Sequence, residues 1–165
     1  MENDIFRFLS EHGISYERVD HPAVYTCEEA ERLVPSIHGM HTKNLFVRDK
    51  KAHNHFLVVV PESKSVDLKA LSAKLDVTNL SFGSPSRLQK YLGVEPGAVS
   101  LLAIVNDEQS DVEVVVDRDI WKGDPIQCHP LVNTSTLAID QSDIERFFEI
   151  TNHRWRIVGV PERSG

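Results

Sequence analysis

The residues with the clearest chemical potential lie in Gly39-Met40-His41-Thr42-Lys43-Asn44-Leu45-Phe46-Val47-Arg48. Thr42, Lys43 and Asn44 place a hydroxyl, an ammonium and an amide in consecutive positions, and an alternating apolar run starts directly after them. A polar cluster fused to a strand start is how a rigid scaffold holds reactive groups at a pocket edge. Residue type alone leaves a second reading open, with Lys43 an exposed lysine ahead of a strand and Asn44 a turn former. The other candidate is His129, which follows Cys128. Neighbours on a strand point to opposite faces, so these two do not form a thiol with its base. Cys128 reads as a small buried apolar residue, and His129 faces the other way, either as a satisfied core histidine or as a site residue.

Other chemistries fail on spacing. Eight histidines is many for this length, and His38 with His41, His53 with His55, and Cys128 with His129 could each offer metal ligands. Yet no C-x-x-C or H-E-x-x-H closes a site, so no metal is expected. His53 and His55 flank a hairpin turn, where exposed histidine is ordinary. There is no G-x-G-x-x-G after a strand and no Walker-type loop, hence no nucleotide-phosphate cradle and no cofactor. Gly83-Ser84-Pro85-Ser86 misses the spacing of a nucleophile elbow and reads as a helix cap, which argues against a serine hydrolase.

The elements that must position these residues follow from periodicity and punctuation. Asn3 can cap a first helix with Ile5, Phe6 and Leu9 on its apolar face and Gly13 as its stop. Ser15 to Val19 reads as a strand. Thr26 and Glu29 form a capping box for a helix from about Cys27 to Leu33, ended by Pro35. Leu45–Arg48 and His55–Val60 read as a hairpin around a polar turn. Asp67 opens a helix carrying Leu68, Leu71 and Leu75, and a short extended piece covers Asn79–Phe82. Ser84-Pro85 starts a further helix that Gly93 stops. Val99–Val105, Val112–Val116, Pro125–His129 and Ser135–Ile139 read as strands. A last helix is capped by Ser142 and Glu145, and Ile157–Val160 closes the chain as a strand. About seven strands without strict βαβ alternation predict an α+β fold, a mixed sheet with helices around it. No composition break divides residues 1–165, so one domain is expected.

Composition sets the outer bounds. With 165 residues, 41% of them hydrophobic, the chain can bury a sizeable core. The acidic, amphipathic N-terminus is not a signal peptide, and no apolar run approaches the ~20 residues of a membrane helix, so no membrane partner is expected. Two cysteines and no export signal point to a reducing cytoplasm. A formal net charge of −7 argues against a basic coat of DNA or RNA, although Lys43, Arg48, Lys50 and Lys51 form one local basic patch.

Five ordered blocks carry a family resemblance. They are His41-Thr42-Lys43-Asn44-Leu45-Phe46-Val47-Arg48-Asp49, Leu80-Ser81-Phe82-Gly83, Gly93-Val94-Glu95-Pro96-Gly97-Ala98-Val99-Ser100, Ile104-Val105-Asn106-Asp107, and His129-Pro130-Leu131-Val132-Asn133-Thr134-Ser135-Thr136-Leu137. Together they span nearly the whole chain, which resembles the YbaK and prolyl-tRNA synthetase-associated editing domains, and within them a free-standing Ala-tRNA(Pro) deacylase. The resemblance implies hydrolysis of the ester between a wrong amino acid, chiefly alanine, and tRNA(Pro), with no metal. Cysteine, serine or threonine as the edited residue, and a non-catalytic module binding tRNA or a synthetase, are the alternatives. It implies site roles for Lys43, Asn44, Gly97 and His129, and tRNA contacts from Lys43, Arg48, Lys50 and Lys51. Partners implied are the mischarged tRNA(Pro) acceptor end and prolyl-tRNA synthetase. Relatives often have an aromatic residue where this chain has Cys128, and proline or phenylalanine near Leu101 and Leu102. With Thr42, these are the expected pocket-lining positions.

Overall fold

In the computed structural model, residues 2–22, 39–132 and 134–163 are described. A five-stranded mixed sheet forms the centre, built from β2 (Thr42–Arg48), β3 (His55–Pro61), β4 (Ser81–Phe82), β5 (Val112–Asp117) and β8 (Trp155–Val158) in the order β4-β2-β3-β5-β8. Strand β2 pairs antiparallel with β3 and β4, while β3–β5 and β5–β8 are parallel. A smaller antiparallel sheet joins β1 (Glu17–Asp20), β7 (Ser135–Ile139) and β6 (Ile126–Cys128). The helices are α1 (Glu2–Glu11), α2 (Leu68–Leu75), α3 (Pro85–Leu92) and α4 (Gln141–Ile150).

Strand β3 explains why the large sheet is central. His55 to Val60 are all buried, so the strand is covered on both faces and its sequence runs apolar without alternation. On one face Phe46, Leu57, Val59, Val114 and Val116 pack in a large core with α1, α3, α4 and the small sheet. On the other, Val47, Phe56, Val58, Val60 and Val115 meet Leu71 and Leu75 of α2.

The two sheets meet where β2 begins. Met40 bridges Ile126 in parallel, with Met40 N–H donating to Pro125 O (2.8 Å) and Gln127 N–H to Met40 O (3.1 Å). Gly39 makes this approach possible. Its φ is +134°, and a Cβ there would stand 2.9 Å from Pro125 O.

Several elements differ from the sequence reading. The described residues hold eight strands, divided between two sheets rather than gathered in a single mixed sheet. The apolar run read as a strand at 99–105 is a 3-10 helix, Leu101–Asn106, because Ser100 caps it and Asn106 Nδ2 donates to Leu92 O at 2.9 Å. A short continuous apolar run lacks the periodicity that would distinguish the two. Helix α1 begins at Glu2, so Asn3 lies inside it, and α4 is entered from Asp140, so Ser142 lies inside that helix. The last strand starts two residues earlier than expected, at Trp155. His55 is buried, not exposed, stacked on Phe46 and Tyr91 with Arg87 Nη1 3.1 Å from its Nε2. The expected helix at 27–33, with Thr26, Glu29 and Pro35, lies outside the described residues, as does His38.

Candidate active site

Strand β2 carries the first half of the site. Pleating places Asn44 on the side of Phe46, towards the large core, and Lys43 on the side of Leu45 and Val47, towards α2. Consecutive in sequence, the two residues therefore serve opposite faces of the sheet. Asn44 Oδ1 is buried and no group among the described residues donates to it. An acceptor left in that state costs about 1–3 kcal/mol, so it marks a position awaiting a donor. Lys43 is half-buried and has no hydrogen-bond or ion-pair partner among the described residues. β4 pairs only with Val47 and Arg48, so among the described residues no strand pairs with β2 on that side of Lys43. Thr42 ties the strand to the small sheet, its Oγ1 donating to Gln127 O at 2.8 Å.

The second half is the loop after β6. His129 is half-buried, and its Nδ1 lies 3.0 Å from Ser135 O, a group that only accepts, so the proton sits on Nδ1 and Nε2 keeps its lone pair. Burial holds the ring's pKa below the usual histidine value, and nearby His21 adds to this, against the pull of the Ser135 carbonyl. The imidazole is thus neutral at pH 7 with one free acceptor. Ser100, fully buried, donates from Oγ to His129 O and accepts from Leu102 N–H (3.2 Å). A single hydroxyl so joins the cap of the 3-10 helix to the histidine loop. From the sheet junction, the chains leading to Asn44 and to His129 leave side by side in the same direction.

Cys128 is no nucleophile. Burial pushes its thiol up to about 12, leaving no thiolate at neutral pH. Gly97 lies exposed in the 3-10 turn Pro96–Ala98, three residues before Ser100. Its φ is outside the left-handed region, so backbone conformation does not demand glycine there. Leu101 and Leu102 are 1% and 0% exposed and pack in the large core, presenting no surface in this structure. Arg48 turns back on its own chain, Nη1 donating to Asp49 O and Lys50 O (both 3.1 Å), while Lys50 and Lys51 stand exposed at the turn.

Sequence reasoning missed Ser100 and Ser135, the two residues that hold the His129 loop. Reading Ser100 as a cap ahead of an apolar run would have found the first. The second acts through its carbonyl, which any residue could supply. Among the described residues no three histidine, cysteine, aspartate or glutamate side chains gather as a metal site.

A buried acceptor and a neutral imidazole can each accept a hydrogen bond from a polar ligand. The model of the aminoacyl-tRNA editing domain matches residues 21–147. The chain is 37% identical over 150 residues to the prolyl-tRNA editing protein ProX of Acetoanaerobium sticklandii, covering 91% of this chain and 92% of that one. It is 36% identical over 155 residues to prolyl-tRNA synthetase associated domain-containing protein 1 of Danio rerio, covering 93% and 84%. Among solved structures, a candidate trans-editing enzyme for prolyl tRNA synthetase superposes with a TM-score of 0.72 at 14% identity, covering 98% of both chains. A scaffold used for epitope grafting reaches 0.75 at 16% identity, covering 99% and 97%, and both likenesses speak for the fold. The chain belongs to the aminoacyl-tRNA editing domain family. Its activity is accordingly that of an aminoacyl-tRNA deacylase.

Proposed function

We propose that the chain is a trans-editing enzyme that hydrolyses the ester of mischarged Ala-tRNA(Pro), working in the cytoplasm after prolyl-tRNA synthetase has erred. The observation that carries this reading is the buried Asn44 Oδ1, without a donor among the described residues, on the strand that leaves the Met40–Ile126 junction parallel to the segment leading to the neutral His129. An aminoacyl ester brings an ammonium and ribose hydroxyls, the donors that these two acceptors lack. A synthetase pocket shaped for proline discriminates against a smaller amino acid by only about 1–3 kcal/mol per methylene, so a second pocket must remove what slips through.

The roles follow. Asn44 orients the ester end, and His129 accepts through Nε2 and fixes the substrate without serving as the general base. Lys43, on the other face of the strand edge, offers a point charge to the terminal phosphate or ribose. Backbone N–H groups near Gly97 polarise the ester carbonyl. Water, activated with help from a ribose hydroxyl of the terminal adenosine, attacks that carbonyl carbon. The ester C–O bond breaks, and the ribose oxygen leaves with a proton while the amino acid departs as its carboxylate. Thr42 holds the pocket wall through Gln127, and Leu101, Leu102 and Cys128, buried in the core, support that wall from behind without lining it.

The test is to incubate the protein with Ala-, Cys-, Ser- and Pro-tRNA(Pro) and follow ester loss. Fast loss of alanine with proline retained is expected. Selective loss of cysteine would move the assignment to Cys-tRNA(Pro), and no acceleration for any of them would sink it. Lys43→Ala is expected to cut turnover at least 100-fold, the scale of one lost charge-stabilising contact.

A further inference from the structure

Phe82 is the most exposed large apolar residue among those described, at 62%, and the only aromatic one. Nothing in the fold needs its ring outside, since neighbouring Leu80 already fills the core under α2. The backbone that carries it is nevertheless fixed. Phe82 pairs with Val47, and Gly83 N–H donates to Phe46 O at 2.9 Å. A Cβ on Gly83 would stand 2.5 Å from the Phe46 ring, so only glycine lets β4 sit this close. The ring is thus presented in advance on a paired strand, where binding costs little ordering.

Its surroundings select a partner. Directly opposed residues share a face, so Phe82 lies on the face of Val47, and pleating puts Lys43 on that same face. Further along, the exposed Lys50 and Lys51 sit at the turn, where Lys50 N–H donates to Thr78 O (3.0 Å) in the segment leading to β4. An exposed ring on a track with a half-buried lysine at one end and two exposed lysines at the other, in a chain whose net charge is −7, fits a single-stranded nucleic acid better than an apolar protein surface.

We propose that Phe82 is a stacking platform for an unpaired base in the 3′ tail of the tRNA, upstream of the terminal adenosine. The proposal rests on the reading of the chain as a tRNA deacylase. Four residues separate Lys43 from Val47, about 13 Å along the strand at ~3.3 Å per residue. A stacked strand advances ~3.4 Å per nucleotide, so with the terminal phosphate at Lys43, Phe82 meets the stem end of the unpaired tail. Lys50 and Lys51 lie beyond it, for the first phosphates of the stem.

The experiment compares wild type with Phe82→Ala, Phe82→Leu and Phe82→Trp on Ala-tRNA(Pro) and on 3′-alanyl-adenosine carrying a 5′-phosphate, which keeps the terminal phosphate but has no upstream base. Phe82→Ala is expected to raise KM for the tRNA about tenfold, the scale of one lost base–aromatic stack, with kcat unchanged. Phe82→Leu, which keeps apolar area but no ring, behaves as the alanine variant, and Phe82→Trp restores KM. None of the three changes hydrolysis of alanyl-adenosine. Full activity of Phe82→Ala on tRNA overturns the proposal, as does rescue by leucine or an equal loss on alanyl-adenosine. A wild-type dimer that Phe82→Ala dissolves in sedimentation would assign the ring to a second copy and also overturn it. Absence of wild-type deacylation is a different result, which removes the functional reading beneath.

Discussion

At the scale of single residues, Asn44 and His129 are arranged for a ligand rather than for stability. Asn44 Oδ1 is buried without a donor, so Asn44→Ala is expected to leave stability unchanged or raise it by up to about 1 kcal/mol while deacylation falls at least tenfold. Urea unfolding and single-turnover hydrolysis together check this; a loss above about 1 kcal/mol would show the amide to be bonded within the fold. His129 makes a pH prediction with a definite sign. Its folded pKa lies below the usual value near 6.5, so between the two the unfolded chain binds the proton and the folded chain does not. Stability is therefore level above about pH 6.5 and declines as pH falls through the folded pKa, with His55, also held low by burial, adding in the same direction. The urea midpoint is expected to be lower at pH 5.5 than at 7.5, and His129→Gln to shrink that difference. Activity on the acid side should fall over the same range as Nε2 takes up a proton. Residue types drew attention to Lys43, Asn44 and His129, but they left a plain structural reading open for each, and the family resemblance is what nominated them as site residues. Strand alternation puts Lys43 and Asn44 on opposite faces, but which face meets α2 and which the large core could not be read, nor that His129 is held by the Ser135 carbonyl, which any residue type could supply.

At the scale of elements, local punctuation was legible and burial was not. Ser84, Pro85 and Gly93 bound α3 as expected, with Ser84 Oγ accepting from Arg87 N–H and Gly93 in the left-handed region, since cap chemistry is written in adjacent residues. The 3-10 helix Leu101–Asn106 escaped because its first four residues are all buried, so they show no period. Its cap joins it to the site, so Ser100→Ala is expected to cost about 1 kcal/mol as a lost cap and to lower kcat several-fold by loosening His129. Ser100→Thr, which keeps the hydroxyl, should recover kcat; recovery of stability without kcat would separate the two effects. The sheet junction makes a sharper case. Asn44 hangs from the large sheet and His129 from the small one, and Gly39 sets their spacing. Gly39→Ala meets both the positive φ and the Pro125 carbonyl and is expected to destabilise by more than about 1 kcal/mol. Because the shift it forces separates the two halves of the site, deacylation should fall further than Ser100→Ala makes it fall, even at temperatures where the chain remains folded.

At the scale of the whole molecule, charge decides how an acidic protein meets a polyanion. The described ion pairs consume cations elsewhere: Lys64 lies 2.7 Å from the buried Asp117 and 2.9 Å from Asp119, and Arg156 lies 2.6 Å from Glu113. Arg48 is spent on the carbonyls of its own turn. Lys43, Lys50 and Lys51 are therefore the cations that β2 and its turn still offer to phosphates. With a net charge of −7 opposing approach at long range, attraction for tRNA should be local and short, carried by about three phosphate contacts. Single-stranded contacts contribute a slope of about −0.7 each in log K against log salt and duplex contacts about −0.9, so the slope for kcat/KM between 50 and 200 mM salt is expected to be about −2.5. Replacing Lys50 and Lys51 together by glutamate should flatten that slope by one to two and lower kcat/KM on tRNA, while the 5′-phosphorylated alanyl-adenosine is hydrolysed as before. Lys43→Ala should instead lower both, because its charge lies at the ester end, where the two substrates are alike. A salt slope left intact by the double substitution would move the tRNA track off the β2–β3 turn and onto another face of the molecule.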